Sequence, residues 1–219
     1  MNRIIIYSHG FGVSKDDRGL FTNIASALPD FQSILFDYDI ISDNVLTARS
    51  LDQKADLLTN KVKQTNEKYP TAQIDLICHS QGCVVAALAK IDRVKSTIFL
   101  APPDNQDPEE MIRKWGARDG AKIDLEGTSS FLRRDGTTTL VPKEYWQSLA
   151  GIKPINIYSE LARKTQLYII RATNDEVLGQ TNFDSLTDIA EIIDVDSDHD
   201  FTGKARQQMM DKIIGILQK

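Results

Sequence analysis

Short apolar runs alternate along this chain with longer stretches in which apolar residues recur at helical spacing. The short runs are typical of buried strands, and they predict strands over residues 4–7, 33–39, 74–78, 96–101, 166–172 and 189–195. The helical spacing predicts helices over residues 20–28, 50–69, 84–88 and 203–217. Strands that alternate with helices and are buried on both faces indicate the α/β class: a three-layer α/β/α sandwich around a mostly parallel sheet.

The alternation stops between about residues 104 and 160. Asp107, followed by a proline and two glutamates, predicts the start of a helix, and Asp135-Gly136 between β-prone runs predicts a hairpin. The segment is also rich in aromatic residues: Trp115, Phe131, Tyr145 and Trp146. We expect one domain, residues 1–219, with this segment inserted as a small lid across the carboxyl ends of the strands. An ordinary surface insertion is the alternative.

Composition and charge exclude several classes of partner. The net charge of −5 argues against binding to a nucleic-acid backbone. The apolar run at the start of the chain is too short for a signal sequence or a membrane span. Cys78 and Cys83 resemble small buried apolar residues more than a disulfide framework. We therefore expect a cytoplasmic protein without a membrane span, and the sequence leaves the oligomeric state open.

The strongest candidate for chemistry is a very short link between a predicted strand and a predicted helix. It reads Cys78-His79-Ser80-Gln81-Gly82. A serine at so tight a turn projects its hydroxyl above the sheet edge, as in the nucleophile elbow G-x-S-x-G. Cys78 stands in place of the first glycine of that motif. Small residues also join strands to helices for steric reasons alone, so the rest of the chain must decide.

A serine hydroxyl needs a base to become a nucleophile, and the chain has only 3 histidines from which to choose. His9 lies in the turn after the first strand, and His79 precedes the serine, so its side chain points away from the serine's. His199 lies in the loop between the last strand and the last helix, which opens at the same sheet edge as Ser80. We expect His199 to be the base. A solvated histidine in an acidic loop is the alternative.

The residue that orients the base is expected at a strand end between the serine and the histidine in sequence. Asp175 stands where the strand over residues 166–172 turns into its loop. Glu176 is its nearest competitor, and Asp198 and Asp200 flank the histidine. Because sequence neighbours rarely make the side-on contact that a ring nitrogen needs, we prefer Asp175.

Backbone amides must stabilise the oxyanion that forms during acyl transfer, and the turn after the first strand offers them. The expected donors are the amides of Phe11 and Gln81. The rival interpretation of Gly10-Phe11-Gly12 is a dinucleotide fingerprint, but Lys15 stands where its third glycine belongs. No P-loop is present and the histidines are scattered, so we expect neither a cofactor nor a metal.

Four motifs, SHGFG, CHSQG, TNDEV and DSDHDF, stand in this order at predicted strand ends. With them, nearly the whole chain outside residues 104–160 resembles the α/β-hydrolase superfamily of serine hydrolases. The resemblance implies Ser80 as nucleophile, Asp175 as acid, His199 as base, and the Phe11 and Gln81 amides as the oxyanion hole. It also implies that the chain starts at the third strand of the family, without the usual N-terminal antiparallel pair. The lid is similar to that of small bacterial esterases acting on aromatic acyl esters.

These features predict a carboxylesterase that acts on a small-molecule acyl ester through an acyl-enzyme. A thioesterase, a peptidase or a lipid hydrolase could use the same residues, and a non-catalytic binding module of the same fold is a further alternative. A haloalkane dehalogenase is disfavoured because it would need a carboxylate at position 80. The candidate substrate-binding residues are Phe131, Trp146 and Val177, and Arg133 and Arg134 could bind an acidic or aromatic group.

Overall fold

The fold is described by a computed structural model that covers residues 3–133 and 136–219. The strands are β1 (Arg3–Ser8), β2 (Gln32–Ile34), β3 (Ile40–Ser42), β4 (Val45–Thr47), β5 (Gln73–His79), β6 (Val94–Leu100), β7 (Thr128–Leu132), β8 (Thr138–Pro142), β9 (Gln166–Ala172) and β10 (Ala190–Val195). The helices are α1 (Leu20–Ala27), α2 (Leu51–Lys68), α3 (Gln81–Leu88), α4 (Pro108–Gly116), α5 (Lys143–Ser148), α6 (Pro154–Ala162) and α7 (Lys204–Leu217), with a short 3-10 helix at Asp184–Leu186.

A six-stranded sheet forms the centre of the molecule, in the order β10-β9-β6-β5-β1-β2. Every neighbouring pair in it is parallel. Apolar side chains cover both faces: α2, α3 and α6 pack on one side, and α1 and α7 on the other. The predicted α/β/α sandwich is therefore confirmed. Since all six strands run the same way, the loops after them meet at one edge of the sheet.

The predicted helices are confirmed to within a few residues, and their ends have the expected causes. Ser50 caps α2 by accepting a hydrogen bond from the Gln53 amide, and the Gln53 side chain returns one to the Ser50 amide, which completes a capping box. Asp107 caps α4 through the amide of Glu109, with Pro108 in the first turn.

The second predicted strand, residues 33–39, is wrong in its extent. Its regular pairing with β1 covers only Gln32–Ile34. Beyond that point the backbone bonds to side chains instead of to the sheet. The Tyr38 amide donates to His9 Nε2, and the Tyr38 carbonyl accepts from the Arg49 guanidinium. A continuous apolar run in the sequence cannot reveal this exchange of partners.

A second sheet, in the order β3-β4-β8-β7, joins two distant parts of the chain. The predicted hairpin is present, because β7 and β8 pair antiparallel. Its predicted turn residue Asp135, like Arg134, lies outside the described residues. The antiparallel pair β3 and β4 was not predicted, and β4 pairs parallel with β8. The segment 104–160 is thus tied by main-chain hydrogen bonds to the chain that follows β2.

Helix α6 begins inside the segment 104–160 but packs against α3 and β9 of the sandwich. Tyr158 of this helix is buried against Phe99 of β6, with ring centroids 4.9 Å apart. The alternation of helix and strand thus resumes before residue 160. Among the described residues, no helix has the length and apolar character needed to cross a membrane.

Candidate functional site

Ser80 occupies the turn between β5 and α3 in a conformation that few L-residues adopt, with φ 52° and ψ −125°. Its amide donates to the carbonyl of Leu100 on β6, at 2.9 Å. The turn can be this tight because Gly82 has no side chain. A Cβ at that position would lie 2.0 Å from the carbonyl oxygen of Ser8 on β1. The short link predicted from the sequence is thus confirmed as a strained strand-to-helix turn.

Cys78, which replaces the first glycine of the motif, lies within β5 and not in the turn. It pairs with Ser8 on one side and Phe99 on the other, and its side chain is buried in the core. Burial raises the pKa of the Cys78 thiol above its ordinary value. Position 78 therefore tolerates a side chain, whereas position 82 does not.

A continuous line of hydrogen bonds runs from Asp175 through His199 to Ser80. His199 Nε2 lies 2.9 Å from Ser80 Oγ, and His199 Nδ1 lies 2.6 Å from Asp175 Oδ2. With the ring proton on Nδ1 directed at the carboxylate, Nε2 is left to accept the serine proton. The three residues come from the loops after β5, β9 and β10, which meet at the same sheet edge.

The Asp175 carboxylate is fixed by the backbone of its own loop. Its Oδ1 accepts hydrogen bonds from the amides of Val177, at 2.9 Å, and Leu178, at 2.8 Å. These bonds leave Oδ2 directed at His199. Asp175 and His199 are both buried, and Ser80 is partly exposed. The buried pair is therefore shielded from water, while the hydroxyl remains at the surface of the site.

The competing carboxylates have other partners. Glu176 accepts from the backbone amide of His199 at 3.2 Å, and so holds the loop but not the ring. Asp198 accepts from the amide of Thr202 at 2.7 Å. Asp200 forms an ion pair with Arg18 at 2.7 Å. Of the four acidic candidates, only Asp175 bonds to a ring nitrogen of His199.

The turn after β1 lies directly against Ser80. A Cβ built on Gly10 would lie 3.3 Å from the Cβ of Ser80, so the two backbones are in close approach. Among the hydrogen bonds of the described residues, none uses the amide of Phe11 or that of Gln81 as donor. Gln81 is the first residue of α3, where helix amides have no partner within the helix. The amides of Phe11 and Gln81 therefore have no acceptor among the residues that the structure describes.

The aromatic residues of the segment 104–160 form a cluster against Phe11. Trp115 stacks on the Phe11 ring at a centroid distance of 4.4 Å, and Phe131 and Trp146 pack behind Trp115. Phe131 and Trp146, both predicted to bind substrate, are buried in this cluster. The predicted Val177 is 46% exposed beside Asp175. The sequence did not single out Trp115, the member of the segment that stacks on Phe11.

Neither a protein-family model nor a curated protein matches the sequence of this chain. Several solved structures do match in fold. Est1E from Butyrivibrio proteoclasticus with bound ferulic acid aligns over 99% of this chain and 90% of its own, at 16% identity and a TM-score of 0.69. The esterase domain of a Rhodothermus marinus protein aligns over 99% and 85%, at 17% identity and a TM-score of 0.67. The methylesterase MES16 from Arabidopsis aligns over 98% of both chains, at 17% identity and a TM-score of 0.61.

This chain has the α/β-hydrolase fold. The parallel sheet and the strained turn at Ser80 agree with that assignment. Identities of 17% or less establish the fold alone.

Two further histidines lie beside the serine turn of this α/β-hydrolase fold. Burial lowers the pKa of His9, and the nearby Lys54 ammonium acts in the same direction. A neutral His9 fits its contacts, because Nδ1 faces the carbonyl of Gly10 and Nε2 accepts from the Tyr38 amide. His79 was expected to point away from Ser80. Its ring bonds to Asp17 Oδ2, at 2.8 Å, and to the His199 carbonyl, at 3.1 Å, and not to Ser80.

A buried ion pair lies under the other side of the turn. Lys54 Nζ is 3.0 Å from Asp39 Oδ1, and their side chains are 1% and 0% exposed. The same ammonium lies 3.4 Å from the side-chain oxygen of Gln81, whose amide nitrogen donates to Tyr145 Oη at 2.6 Å. Burial lowers the pKa of Lys54, although Asp39 acts in the opposite direction. This network connects α2 and α5 to the first residue of α3.

Within the described residues 3–133 and 136–219, one group of side chains could surround a metal ion by distance alone. The ligand atoms of His79, His199 and Asp200 lie within 4.8 Å of one another. However, both ring nitrogens of each histidine are already hydrogen-bonded. The geometry therefore suits a hydrogen-bonded site better than a metal centre.

Proposed function

We propose that this protein is a serine hydrolase that cleaves a carboxylic ester through an acyl-enzyme. Ser80 is the nucleophile, His199 the general base and Asp175 the residue that orients the base. The observation that carries the proposal is the line of hydrogen bonds from Asp175 through His199 to Ser80, with separations of 2.6 and 2.9 Å. Esterases among the structures of the same fold agree with it.

In the proposed first step, His199 Nε2 removes the proton of Ser80 while Oγ attacks the ester carbonyl. The resulting imidazolium is stabilised by the Asp175 carboxylate. His199 then gives the proton to the leaving alcohol, and the acyl group stays on Ser80. In the second step His199 deprotonates a water molecule that attacks the acyl-enzyme carbonyl; the bond to Ser80 Oγ then breaks, His199 returns the proton to Oγ, and the acid is released.

The amides of Phe11 and Gln81 are the proposed donors to the oxyanion in both steps. Two observations support this role: the two amides flank Ser80, and neither donates elsewhere among the described residues. Loss of a single donor of this kind commonly costs about 10²–10³ in kcat. Because both donors belong to the backbone, side-chain replacement at these positions removes neither of them directly.

The segment 104–160 is proposed to act as a lid that bears the substrate-contacting surface. Trp115 is added to the candidates Phe131, Trp146 and Val177, because it stacks on Phe11 beside the proposed oxyanion site. Lys114 supports the placement of this segment, since its Nζ donates to the Val177 carbonyl in the loop of Asp175, at 3.3 Å. Phe131 and Trp146 pack against the Trp115 ring and hold it in place.

A fluorophosphonate probe tests the proposal directly. The probe reacts with an activated serine, so we expect one covalent adduct on the wild type, located at Ser80 by peptide mass spectrometry. Ser80→Ala should give no adduct, and His199→Ala should label far more slowly. Ser26→Ala is the matched control, because Ser26 is exposed on α1 and its hydroxyl donates to the Thr22 carbonyl of the same helix. No adduct on the wild type, or equal labelling of Ser80→Ala, would refute the mechanism.

The class of acyl substrate is tested separately, by steady-state hydrolysis of p-nitrophenyl esters of increasing chain length together with aryl-acid esters and matched thioesters. We expect a burst of p-nitrophenol equal to the enzyme concentration, followed by slower turnover. Faster turnover of thioesters than of the matched esters would assign the protein to the thioesterases. Thermal stabilisation by these compounds without any turnover would favour a binding module.

A further inference from the structure

Asp17 and His79 form a buried pair that touches all three parts of the proposed site. Asp17 Oδ2 accepts the Gly10 amide at 3.0 Å and faces His79 Nδ1 at 2.8 Å. His79 Nε2 faces the backbone carbonyl of His199 at 3.1 Å. His79 itself is the residue before Ser80. One pair of side chains thus connects the turn after β1, the serine turn and the loop of the base.

The contacts define the ionisation of the pair. Both partners of the His79 ring are oxygens that accept, so both ring nitrogens must carry a proton and the ring is an imidazolium. The two side chains are 3% and 2% exposed, which leaves Asp17 as the counter-ion at hydrogen-bond distance. The other titratable groups that face His79 are His199, with ring centroids 5.0 Å apart, and Asp200.

The electrostatics agree with this assignment. Burial alone would lower the pKa of His79, but the charge of Asp17 and its hydrogen bond outweigh burial and raise it. Burial alone would raise the pKa of Asp17, but His79 and the Gly10 amide outweigh it and lower the pKa to about 2. Both shifts favour the charged pair at neutral pH.

The backbone is bent unfavourably to bring Asp17 inward. Asp17 and its neighbour Arg18 have φ values of 49° and 55°, in the left-handed region that L-residues seldom occupy. Such conformations persist when the surrounding contacts require them. Here the contacts are the Asp17–His79 pair and the ion pair of Arg18 with Asp200, the residue after His199. The strained segment therefore bonds directly to the His199 loop through Arg18. Through Asp17 it bonds to His79, which in turn bonds to that loop.

We propose that Asp17 and His79 are positioning residues that hold the His199 loop and the Gly10–Phe11 turn in register with Ser80. The proposal rests on the proposed function, because it concerns the same site. His79 acts through the main chain of His199 and Asp17 through the amide of Gly10, so neither touches the substrate. Loss of the bond to the His199 carbonyl releases the imidazole from its line to Ser80, and loss of the bond to Gly10 releases the amide of Phe11.

Asp17→Asn removes the negative charge of residue 17 but keeps the shape of its side chain. The amide oxygen can still accept from the Gly10 amide and from His79. Without the carboxylate, His79 loses its proton near or below the ordinary histidine pKa of about 6.5, and Nε2 no longer donates to His199. We expect kcat at pH 8 to fall about 10²-fold with little change in KM, as for a small misplacement of reacting groups. The ratio of variant to wild-type kcat should rise as the pH falls below about 6.5.

Asp16→Asn is the matched control, because this substitution makes the same chemical change at the residue next to Asp17. Its carboxylate accepts only from the hydroxyl of Ser14, at 2.7 Å, among the side-chain hydrogen bonds described. We expect wild-type kcat, KM and pH profile for this control. If Asp17→Asn has the wild-type kcat and pH profile, the positioning role is refuted. Wild-type protein that neither hydrolyses esters nor labels with the probe would instead refute the proposed function, and this proposal with it.

A second measurement does not depend on the folding of an Asp17 variant. In the Ser80→Ala protein, nitrogen chemical shifts report the protonation of each histidine ring, and His79→Gln identifies the His79 signal. We expect the His79 ring to remain an imidazolium well above pH 6.5. A His79 that is neutral at pH 7 could not donate to both oxygens, and this result would overturn the proposal even if all the variants are active.

Discussion

At the scale of single residues, the position of Ser80 depends on the approach of two backbones. Gly82 lies so close to β1 that any side chain would collide with the Ser8 and His9 carbonyls. Ser8 also contributes a hydrogen bond, from its hydroxyl to the Gly82 carbonyl at 2.8 Å. The strained conformation of Ser80 is held by these contacts, and this explains why glycine is needed after the serine but not at Cys78.

Gly82→Ala is therefore expected to destabilise the protein by about 3 kcal/mol, the upper end of the usual cost of overpacking, and to lower esterase activity sharply. The matched control is Gly215→Ala in α7, where an added Cβ meets no atom within 4 Å. Alanine at this helical position should stabilise by about 0.5–1 kcal/mol. Urea unfolding of both variants checks the prediction. A similar loss of stability in both would contradict the close-approach argument.

The three residues of the line of hydrogen bonds could be predicted from the sequence, because the candidates were few and each followed a predicted strand. Ser80, His199 and Asp175 were selected in this way, and the structure places them at hydrogen-bond distance. Asp17 could not be selected, since nothing in a polar loop shows that its backbone turns into the left-handed region. The contact of His79 with the His199 carbonyl was also hidden, because it joins residues 120 positions apart.

At the scale of helices and strands, α2 does more than cover the sheet. It places Lys54 under the first turn of α3, where the ammonium meets Asp39 and the Gln81 side chain. A fully buried ion pair contributes little net stability, because the desolvation of both charges offsets their attraction. The ion pair instead fixes how α2, α3 and α5 pack, because only one arrangement of these helices satisfies the hydrogen bonds of Lys54, Asp39, Gln81 and Tyr145.

Lys54→Met leaves the Asp39 carboxylate buried without its cation, and should cost about 3–5 kcal/mol of stability. The double variant Lys54→Met/Asp39→Asn removes the unpaired charge and should recover much of that loss. Lys63→Met is the control on the same helix, because Lys63 is 73% exposed and should change stability by no more than about 0.5 kcal/mol. Thermal unfolding of the three variants measures the effect. A double variant that is less stable than Lys54→Met alone would contradict it.

Sequence pattern predicted the long elements well and the short ones poorly. The helix α2 was clear because its buried residues recur at helical spacing, and the strands β5, β6 and β9 were clear because each is buried along most of its length. The strands β3 and β4 have three residues each; β3 is exposed throughout, and β4 buries only Leu46. Periodicity cannot define a strand of that length, since its existence depends on a partner far along the chain.

At the scale of the whole molecule, the described strands that pair over the greatest separation in sequence lie in the second sheet. In the central sheet, β5 pairs with β6 across the short helix α3, and Ile4 of β1 lies opposite Ile74 of β5. In the second sheet, β4 pairs with β8, with Val45 opposite Thr138. The loop closed by that pairing is about 90 residues long, and the conformational entropy of closing a loop increases with its length. The second sheet therefore depends on a central sheet that already brings its two segments together.

The parallel contact of β4 with β8 has a consequence for the order of folding. Pairings between distant segments form late, so during refolding the amide of Ala48, which donates to Leu140, should gain hydrogen-exchange protection after the amide of Ser80, which donates to Leu100. Pulse labelling followed by mass spectrometry measures both amides in one experiment, and simultaneous protection would contradict the expected order. The aromatic cluster beside Phe11 includes Phe131 of β7, so the proposed esterase activity should return only with the slower phase. A newly synthesised chain would then possess its central sheet for some time before the proposed site is complete.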